Sequence, residues 1–425
     1  MKTCFTLFAC VVASAALVAC GGGGSGNGAD AGVSTLKQIA VPGVTSTTNF
    51  SFDISGVDSA KGRMYFTDRN NKSVDVIDVT TNTFLKQITD TFAGCDTGPT
   101  CAGANNDKSG PDGLNIIPGT NFIYVGDVNS VKIIDANTDT VVKIIPIGGT
   151  SGLRADEGCY DPDHKIFMIN SPGESPPFAT FIDTTTQKII ATLLFTDPGT
   201  GPAGPASAGL EACVYDHGTQ SFLVNNDGST ANPHGEVDVI PAAFVMKGTP
   251  VAPVVLTIPA ITPGSGFKVF PLGNCDPTGL ELGPGTDMAI VCREGTTGAT
   301  LLLLILDRVS GTILASLNAG GGDQIAYESA SNRYYEAASR WTATGRAGVN
   351  GACSAAAPCT PVLMVIDAGA RTVLARVESG NNAHSVAIDP VRHQLYMPYS
   401  SAAAPGGCAT CSDFPSGGVL VYSIP

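Results

Sequence analysis

Charged residues and tryptophan are scarce in this chain, and most of its charges are negative. Asp, Glu, Lys and Arg make up 14% of the 425 residues, there is one Trp, and Asp and Glu outnumber Lys and Arg by 37 to 23. The formal net charge is −14. Because an acidic protein repels phosphates and anionic headgroups, we expect no nucleic-acid partner and no direct docking on an anionic membrane surface.

The signatures of several enzyme classes are also missing. The sequence contains no CxxCH haem motif, no Gly-x-Ser-x-Gly elbow and no Gly-Lys-Ser/Thr phosphate loop. Beyond the N-terminal segment, no stretch approaches the ~18 apolar residues of a membrane-spanning helix. Residues 301–306 are apolar but too few, and they fit a buried strand.

The first 19 residues have the layout of an export signal. Lys2 precedes an apolar run from Cys4 to Leu17. Leu17-Val18-Ala19-Cys20 resembles the lipobox of bacterial lipoproteins, which implies cleavage before Cys20 and lipid, including palmitate, on that residue. The alternative is an ordinary cleaved signal with a chance cysteine. Residues 20–33 would form a glycine-rich tether, and by the family's rule Gly21 after Cys20 favours the outer membrane of a bacterial cell envelope.

Ten of the 13 cysteines lie beyond Cys20, which in an exported protein indicates disulfides. Position within one loop or hairpin predicts four bridges: Cys95–Cys101, Cys275–Cys292, Cys353–Cys359 and Cys408–Cys411. The last pair is a CxxC between Gly406-Gly407 and Pro415, so we favour a structural disulfide within the loop over a redox-active motif. Cys159 and Cys213 stay unassigned, because equivalent side chains of successive repeats point the same way round a ring.

One apolar sequence motif recurs along the chain and ends each time at a predicted turn. It reads Ser-Val-Asp-Val-Ile-Asp at 73–78, Ser-Val-Lys-Ile-Ile-Asp at 130–135 and Leu-Met-Val-Ile-Asp at 363–367. The copies are spaced somewhat more widely than the ~40–45 residues of a propeller blade. Seven hairpins accompany them, so the sequence predicts an all-β, seven-bladed β-propeller over residues 34–425, with insertions.

The N-terminal strand is expected to close this ring. The last blade has no fourth strand before the chain ends, whereas Leu36-Lys37-Gln38-Ile39 repeats the fourth-strand sequence Leu85-Lys86-Gln87-Ile88. If the N-terminal copy completes the last blade, two open sheet edges disappear. We therefore expect a monomer.

Two segments resemble the YVTN repeats of bacterial seven-bladed propellers. They are Ile123-Tyr124-Val125-Gly126-Asp127 with residues 131–142, and His384-Ser385-Val386-Ala387-Ile388-Asp389-Pro390. The resemblance implies the fold more than a function, since that family includes binding proteins, surface proteins and a few enzymes. Quinone-cofactor dehydrogenases share the ring architecture, but their blades usually carry Trp-rich docking motifs.

Loop lengths predict that one face of the ring is the functional face. Turns between first and second strands, and between third and fourth strands, are expected to be tight. The long connections, which antiparallel pairing places on the opposite face, are residues 89–111, 171–177, 196–209, 226–234, 260–277, 339–360 and 399–417. We interpret this loop-rich face as a binding face; the alternative is that insertions accumulated where they disturb the fold least.

Polar residues collect on the same face. Glu157 and Glu211 open neighbouring first strands, Asn170 and Asn226 end the second strands beside them, and Asp127 ends another second strand. Such oxygen donors suit Ca²⁺ or Mg²⁺, and they resemble in residue type the metal site of propeller lactonases. The resemblance implies a metal-assisted hydrolase or lyase. The alternative is a solvated acidic rim.

Four further side chains on this face have candidate roles. Among the catalytic candidates Glu157, Glu211 and His384, the histidine opens the last blade's first strand and would act as a base or ligand. Trp341, with Arg340 and Arg346, suits sugar or peptide stacking, or it packs within its own loop. Our leading interpretation is a lipid-anchored binding or scaffold protein whose loop-rich face takes an unknown protein, peptide or glycan. The metal-assisted enzyme is the alternative.

Overall fold

The computed structural model describes residues 31–196, 209–259, 264–293, 298–348, 358–402, 408 and 410–425, and these form seven small antiparallel sheets. The signal peptide, Cys20, most of the tether, Cys353 and nearly all of the 196–209 connection lie outside the described residues. No helix in the described part of the chain is long and apolar enough to cross a membrane.

The first three blades follow one another along the chain. Blade one contains β2 (Phe52–Asp58), β3 (Arg63–Asp68), β4 (Ser73–Asp78) and β5 (Thr83–Ile88). Blade two contains β6 (Leu114–Ile116), β7 (Phe122–Asp127), β8 (Ser130–Asp135) and β9 (Thr140–Pro146). Blade three contains β10 (Gly158–Asp161), β11 (Ile166–Ser171), β12 (Phe178–Asp183) and β13 (Lys188–Leu194).

The next three blades keep this order, with one insertion. Blade four contains β14 (Leu210–Asp216), β15 (Ser221–Asn226), β16 (Glu236–Pro241) and, after α1 (Ala242–Val245) and β17 (Val254–Thr257), β18 (Lys268–Pro271). Blade five contains β19 (Pro277–Leu282), β20 (Asp287–Cys292), β21 (Leu303–Asp307) and β22 (Ile313–Leu317). Blade six contains β23 (Ile325–Glu328), β24 (Arg333–Ala338), β25 (Val362–Asp367) and β26 (Thr372–Glu378).

Blade seven joins the two ends of the chain and confirms the predicted closure. It consists of β27 (Ala387–Asp389), β28 (Gln394–Tyr399), β29 (Gly418–Ser423) and the N-terminal β1 (Ser34–Ile39). The strand β1 runs antiparallel to β29, from Ser34 opposite Ser423 to Ile39 opposite Val419. The ring therefore closes by backbone hydrogen bonds between its termini, and neither β29 nor β1 is left unpaired on that side.

The recurring apolar motif is the third strand of a blade, and its apolar residues and terminal aspartate explain its position. Third strands such as β4 and β25 are buried almost throughout because both sheet faces pack on neighbouring blades. The terminal aspartate then caps the following turn. In blade one the Asp78 carboxylate accepts hydrogen bonds from the amides of Thr80 at 2.7 Å and Thr81 at 3.1 Å.

The hydrophobic core lies between the blades rather than at the axis. Between blades one and two, for example, the buried side chains of Tyr65, Val76, Val125 and Ile134 pack together. Fourth strands such as β9 alternate exposed residues with half-buried or buried ones because they form the outer rim. The edges of the first strands are consequently left to surround the central channel.

Blade four corrects one expectation. The predicted tight turn between its third and fourth strands is wrong, because α1 and β17 are inserted there and β17 pairs in parallel with β13 as a fifth strand of blade three. The predicted connection 260–277 in turn contains the fourth strand β18. This insertion therefore lies on the face opposite the other long connections.

Four disulfides lie within the described residues. Cys95–Cys101, Cys275–Cys292 and Cys408–Cys411 confirm three of the predicted local bridges. The fourth joins Cys159 to Cys213, the pair that the sequence left unassigned. Their Cα atoms are 5.6 Å apart, because first strands converge towards the axis and adjacent β10 and β14 come close enough for a bridge.

Candidate functional site

The candidate site is a cavity at the mouth of the central channel on the loop-rich face. This mouth cavity has a volume of about 340 Å³ and is lined mainly by charged and polar side chains. Its wall includes residues from the starts of first strands, from the ends of second strands and from the 89–111 connection. The cavity thus collects side chains from all around the ring.

Glycines let the polar strand starts approach one another. A Cβ atom at Gly113 would lie 1.6 Å from the carbonyl oxygen of Asp156, and one at Gly279 would lie 2.1 Å from that of Asp323. Any other residue at Gly113 or Gly279 would push the neighbouring blade away. These two glycines therefore set the close spacing of the acidic residues at the mouth.

Three carboxylates near the mouth are paired with two arginines. We call Asp53, Asp112 and Asp156, with Arg69 and Arg154, the arginine-paired group. The buried Arg69 forms ion pairs with Asp53 and Asp112, and its Nε donates to Asp112 Oδ1 at 2.8 Å. Arg154 lies 2.8 Å from Asp156 and 3.6 Å from Asp112. Each carboxylate in this group has a cationic partner.

Three other carboxylates face the cavity with far less compensation. Glu157, Glu211 and Asp323, which we call the carboxylate triad, each place an oxygen within 4.8 Å of the others. Gln324 reaches across the channel and its Nε2 donates to Glu157 Oε1 at 2.9 Å. The nearest described cation to Glu211 is Arg293, at 3.9 Å. The triad therefore crowds three acidic groups together with little cationic compensation.

The acid–base properties of the triad follow from this crowding. Burial raises the pKa of Glu157 well above its usual value, and the carboxylates of Asp323, Asp156 and Glu211 raise it further. Burial also raises the pKa of Glu211. The carboxylate of Asp227 raises this pKa further, whereas the positive charge of Arg293 lowers it. Ionising both glutamates in the empty cavity is consequently unfavourable.

Arginine side chains also reach the mouth from the ends of second strands. Arg293 follows β20 and lies 3.4 Å from Asp227 as well as 3.9 Å from Glu211. Arg340 follows β24 and lines the cavity. Burial lowers the pKa of Arg340, and the neighbouring Arg293 lowers it further. The cavity thus presents positive as well as negative groups.

His384 lies in the mouth, where the sequence analysis located it. Its ring stacks on Phe52 with a centroid distance of 4.4 Å and an interplanar angle of 9°. Its Nδ1 donates to the carbonyl oxygen of Asn382 at 2.7 Å, and its Nε2 lies 3.8 Å from Asp53. With Nδ1 holding the proton, Nε2 is the nitrogen that faces the cavity.

The structure brings together two of the five predicted metal ligands. Glu157 and Glu211 meet in the triad. Asn170 is buried behind them: its Nδ2 donates to the Glu211 carbonyl at 2.6 Å, and its Oδ1 has no hydrogen-bond partner among the described residues. Asn226 instead hydrogen-bonds Asp238 within its own blade at 3.0 Å.

Asp127 also lies apart from the triad. It forms a buried ion pair with Lys132 of the adjacent strand and accepts a hydrogen bond from the Ala93 amide at 3.3 Å. Strand alternation explains this placement, because a residue at a strand end faces the neighbouring blade as readily as the axis. The metal role of these five residues stays a prediction.

Sequence reasoning missed several residues of the mouth. Three of these are aspartates beside a residue at a first-strand start: Asp53, Asp156 and Asp323. Two of them could have been found from the sequence, because Asp156 and Asp323 directly precede the polar strand starts Glu157 and Gln324. Arg154 comes from a connection between blades, where no repeat marks its position. The stacking role considered for Trp341 is disfavoured, since this ring is buried with Arg376 packed over it at 4.7 Å.

A second cavity of about 510 Å³ continues along the first strands towards the opposite face. Most of the residues that line it are uncharged, with Val57, Val214, Leu282 and Ile388 among them, but Glu281 also lines it and Glu157 borders both cavities. Charged side chains are therefore concentrated at the mouth.

Comparison with known proteins establishes the architecture. No family model and no curated protein matches the chain. Among solved structures, hydrazine synthase of Kuenenia stuttgartiensis is similar, with a TM-score of 0.58 and 14% sequence identity over 85% of this chain and 96% of that one. The likeness is one of fold. Function must therefore be argued from the mouth itself.

Proposed function

We propose that the protein is a lipid-anchored propeller of the bacterial cell envelope that binds a ligand at the channel mouth on its loop-rich face. The observation that carries this proposal is the carboxylate triad, in which Glu157, Glu211 and Asp323 crowd one cavity with little compensation. Ionising neighbouring carboxylates together costs free energy when no cation lies between them. A ligand with positive charge would relieve that cost.

The ligand-binding role can be tested on the full chain purified in detergent. A thermal-shift screen of small charged molecules, including amines, amino acids, dicarboxylates and sugar phosphates, should reveal compounds that raise the melting temperature. Asp323→Asn should lose the response, whereas Asp90→Asn, which removes an exposed charge on the same face, should keep it. A screen without any stabilising compound, or a response unchanged in Asp323→Asn, would contradict the proposal.

Membrane anchoring through Cys20 is a separate part of the proposal. It is supported by the lipobox-like residues 17–20 and by the glycine-rich segment after them. Cys20→Ala should move the protein from the membrane fraction to the soluble fraction, and the signal-peptidase inhibitor globomycin should trap the full-length precursor. Cys20→Ala protein that still sediments with membranes after a salt wash would place the anchor elsewhere.

A metal-assisted hydrolase or lyase is the second candidate, and the spacing of the triad favours it. Carboxylate oxygens within 4.8 Å of one another suit a hard divalent cation. Such an ion would polarise a lactone carbonyl, and His384 would serve as a base beside it. The test is a Ca²⁺ and Mg²⁺ titration of chelator-treated full chain, with lactone hydrolysis measured in parallel. Activity that needs the cation and disappears in Glu157→Gln with Glu211→Gln would establish the enzyme.

A further inference from the structure

The cations of the mouth are engaged to very different degrees. Arg69 and Arg154 each contact at least two carboxylates of the arginine-paired group. Arg293 is shared between Asp227 and Glu211. No described carboxylate lies within 4.0 Å of the Arg340 guanidinium, although that side chain lines the cavity. Arg340 is thus a cation on the cavity wall without an ion-pair partner in the described part of the chain.

The carboxylate triad has hydrogen-bond acceptors without donors, just as Arg340 is a cation without an anionic partner. Glu157 is only 8% exposed and borders the cavity. Gln324 donates to one of its carboxylate oxygens, and no described donor reaches the other. The Asp323 carboxylate likewise accepts no hydrogen bond from any described residue, although it lies in the same cavity. The unmet hydrogen-bonding capacity of this acidic cluster points into the cavity.

Arg340 is held too far from the triad to form an ion pair with it, although Arg293 lies 3.9 Å from Glu211. Arg340 lies in the electrostatic field of Asp323 and Glu211, yet it forms no ion pair with either. Its backbone is fixed by a 2.7 Å hydrogen bond from its amide to the Gly321 carbonyl. The Cys159–Cys213 disulfide fixes the strands that carry Glu157 and Glu211. The separation is therefore built into the blades.

We propose that the mouth cavity binds a small zwitterion of the amino-acid class, with its ammonium group on the carboxylate triad and its carboxylate on Arg340 and Arg293. This inference rests on the proposed function and specifies its ligand. An ammonium group has three donors for the free oxygens of Glu157, Glu211 and Asp323, and a guanidinium binds a carboxylate with two parallel hydrogen bonds.

Other occupants leave part of the site unsatisfied. A divalent cation or a simple amine would neutralise the triad and leave Arg340 unpaired. A dicarboxylate would pair with Arg340 and Arg293 but would bring further negative charge against Asp323. At about 340 Å³ the cavity lies at the lower end of the range for ligand sites. A single small molecule with two opposite charges matches both the size and the charge pattern.

Isothermal titration calorimetry on the chelator-treated full chain tests the inference. The probes are ω-amino acids from glycine to 6-aminohexanoate, each compared with the n-alkylamine and the n-alkanoate of matched length. We expect at least one ω-amino acid to bind tenfold or more tightly than both of its matched single-charge probes. The optimal chain length would report the span between the triad and Arg340.

Two variants assign the two ends of the ligand. Arg340→Met should lower the affinity for the best ω-amino acid at least tenfold and leave alkylamine binding unchanged. Asp323→Asn should weaken both probes. Arg346→Met is the matched control, because it removes the same charge from an exposed position in the same loop, and it should have no effect.

The possible outcomes separate this inference from the proposed function. If alkylamines bind as tightly as ω-amino acids, the zwitterion is wrong but a ligand-binding mouth stands. If binding requires added Ca²⁺ or Mg²⁺, the zwitterion is wrong and the metal-assisted alternative gains support. If no ω-amino acid binds, the inference is overturned, while the broader thermal-shift screen still judges whether the mouth binds any ligand.

Discussion

Two neighbouring acidic groups lie at the mouth, and they are stabilised in different ways. In the arginine-paired group, Arg69 and Arg154 contact all three carboxylates. In the carboxylate triad, the only contact of 4.0 Å or less with a described cation is that of Arg293 with Glu211. One group is therefore ion-paired at every carboxylate, whereas in the other the described ion pairs reach Glu211 alone.

The position of the unassigned cysteines fits this difference. Cys159 follows Glu157 by two residues, Cys213 follows Glu211 by two residues, and the two cysteines are bonded. The bridge links the strand starts beside Glu157 and Glu211, and of these two glutamates the described ion pairs reach Glu211 alone, through Arg293. The carboxylates of the arginine-paired group are held by ionic contacts instead.

The largest effect should come from removing the central cation of the arginine-paired group. Arg69→Met would leave the buried Asp53 and Asp112 with only the longer contacts to Arg154, at 3.9 and 3.6 Å, and breaking a buried ion pair typically costs about 3–5 kcal/mol. Chemical denaturation should show this loss, and the exposed Arg346→Met should change the free energy of unfolding by less than about 0.5 kcal/mol. Equal stability of the two variants would mean that the ion pairs do not hold this group together.

Removing the covalent link of the triad should have the next largest effect. The Cys159–Cys213 bridge closes a 54-residue separation, whereas Cys95–Cys101 closes one of 6. Loop entropy then predicts that Cys159→Ala with Cys213→Ala lowers the free energy of unfolding by about 4 kcal/mol. The corresponding value for Cys95→Ala with Cys101→Ala is about 2 kcal/mol. The first double variant should also weaken ligand binding. Unchanged affinity would show that the bridge does not position Glu157 and Glu211.

A pH-dependent stability difference should follow from the raised pKa of Glu157. At pH values above the unfolded pKa of about 4.3, Glu157 ionises readily in the unfolded chain, whereas burial and neighbouring carboxylates raise its pKa in the folded protein and favour its protonated form. The folded state then binds more protons than the unfolded state, so this residue's contribution to stability falls as pH rises. Glu157→Gln should raise the melting temperature at pH 7.5 by about 2 °C or more, and the difference should disappear near pH 4.

Glu328 provides a control of opposite sign. Burial raises its pKa, but hydrogen bonds from Ser331 and Ala330 outweigh that effect and lower it overall. Glu328→Gln should therefore reduce stability at pH 7.5, and this loss should shrink as pH falls. A melting temperature that rises in both glutamate variants would contradict the distinction between the triad and an ordinary capping carboxylate.

The smallest effect on stability is expected for Arg340. Because this side chain makes no ion pair with a described residue and burial lowers its pKa, Arg340→Met should change the free energy of unfolding by less than about 1 kcal/mol. Chemical denaturation of the ligand-free protein measures this value. A loss as large as that of Arg69→Met would show that Arg340 is structural, and the comparison between the two groups would fail.

Much of the architecture could be predicted because it depends on local patterns. The recurring third strand, its terminal aspartate and the copied sequence Leu-Lys-Gln-Ile were sufficient for the blades and their closure, since strand periodicity and turn capping act within a few residues. The insertion between β16 and β18 was not predictable in the same way. Its strand β17 pairs with a different blade, and such pairing has no local signature.

The sequence by itself determined that the chain is a closed ring with polar residues at the starts of its first strands. Only the tertiary structure decided which of them meet: Glu157 and Glu211 with Asp323, but not with Asp127 or Asn226. It also decided that Arg69 is neutralised while Arg340 is not. The physical reason is that blade spacing, strand convergence and loop paths place side chains at the axis, and charges interact over distances in space rather than along the chain.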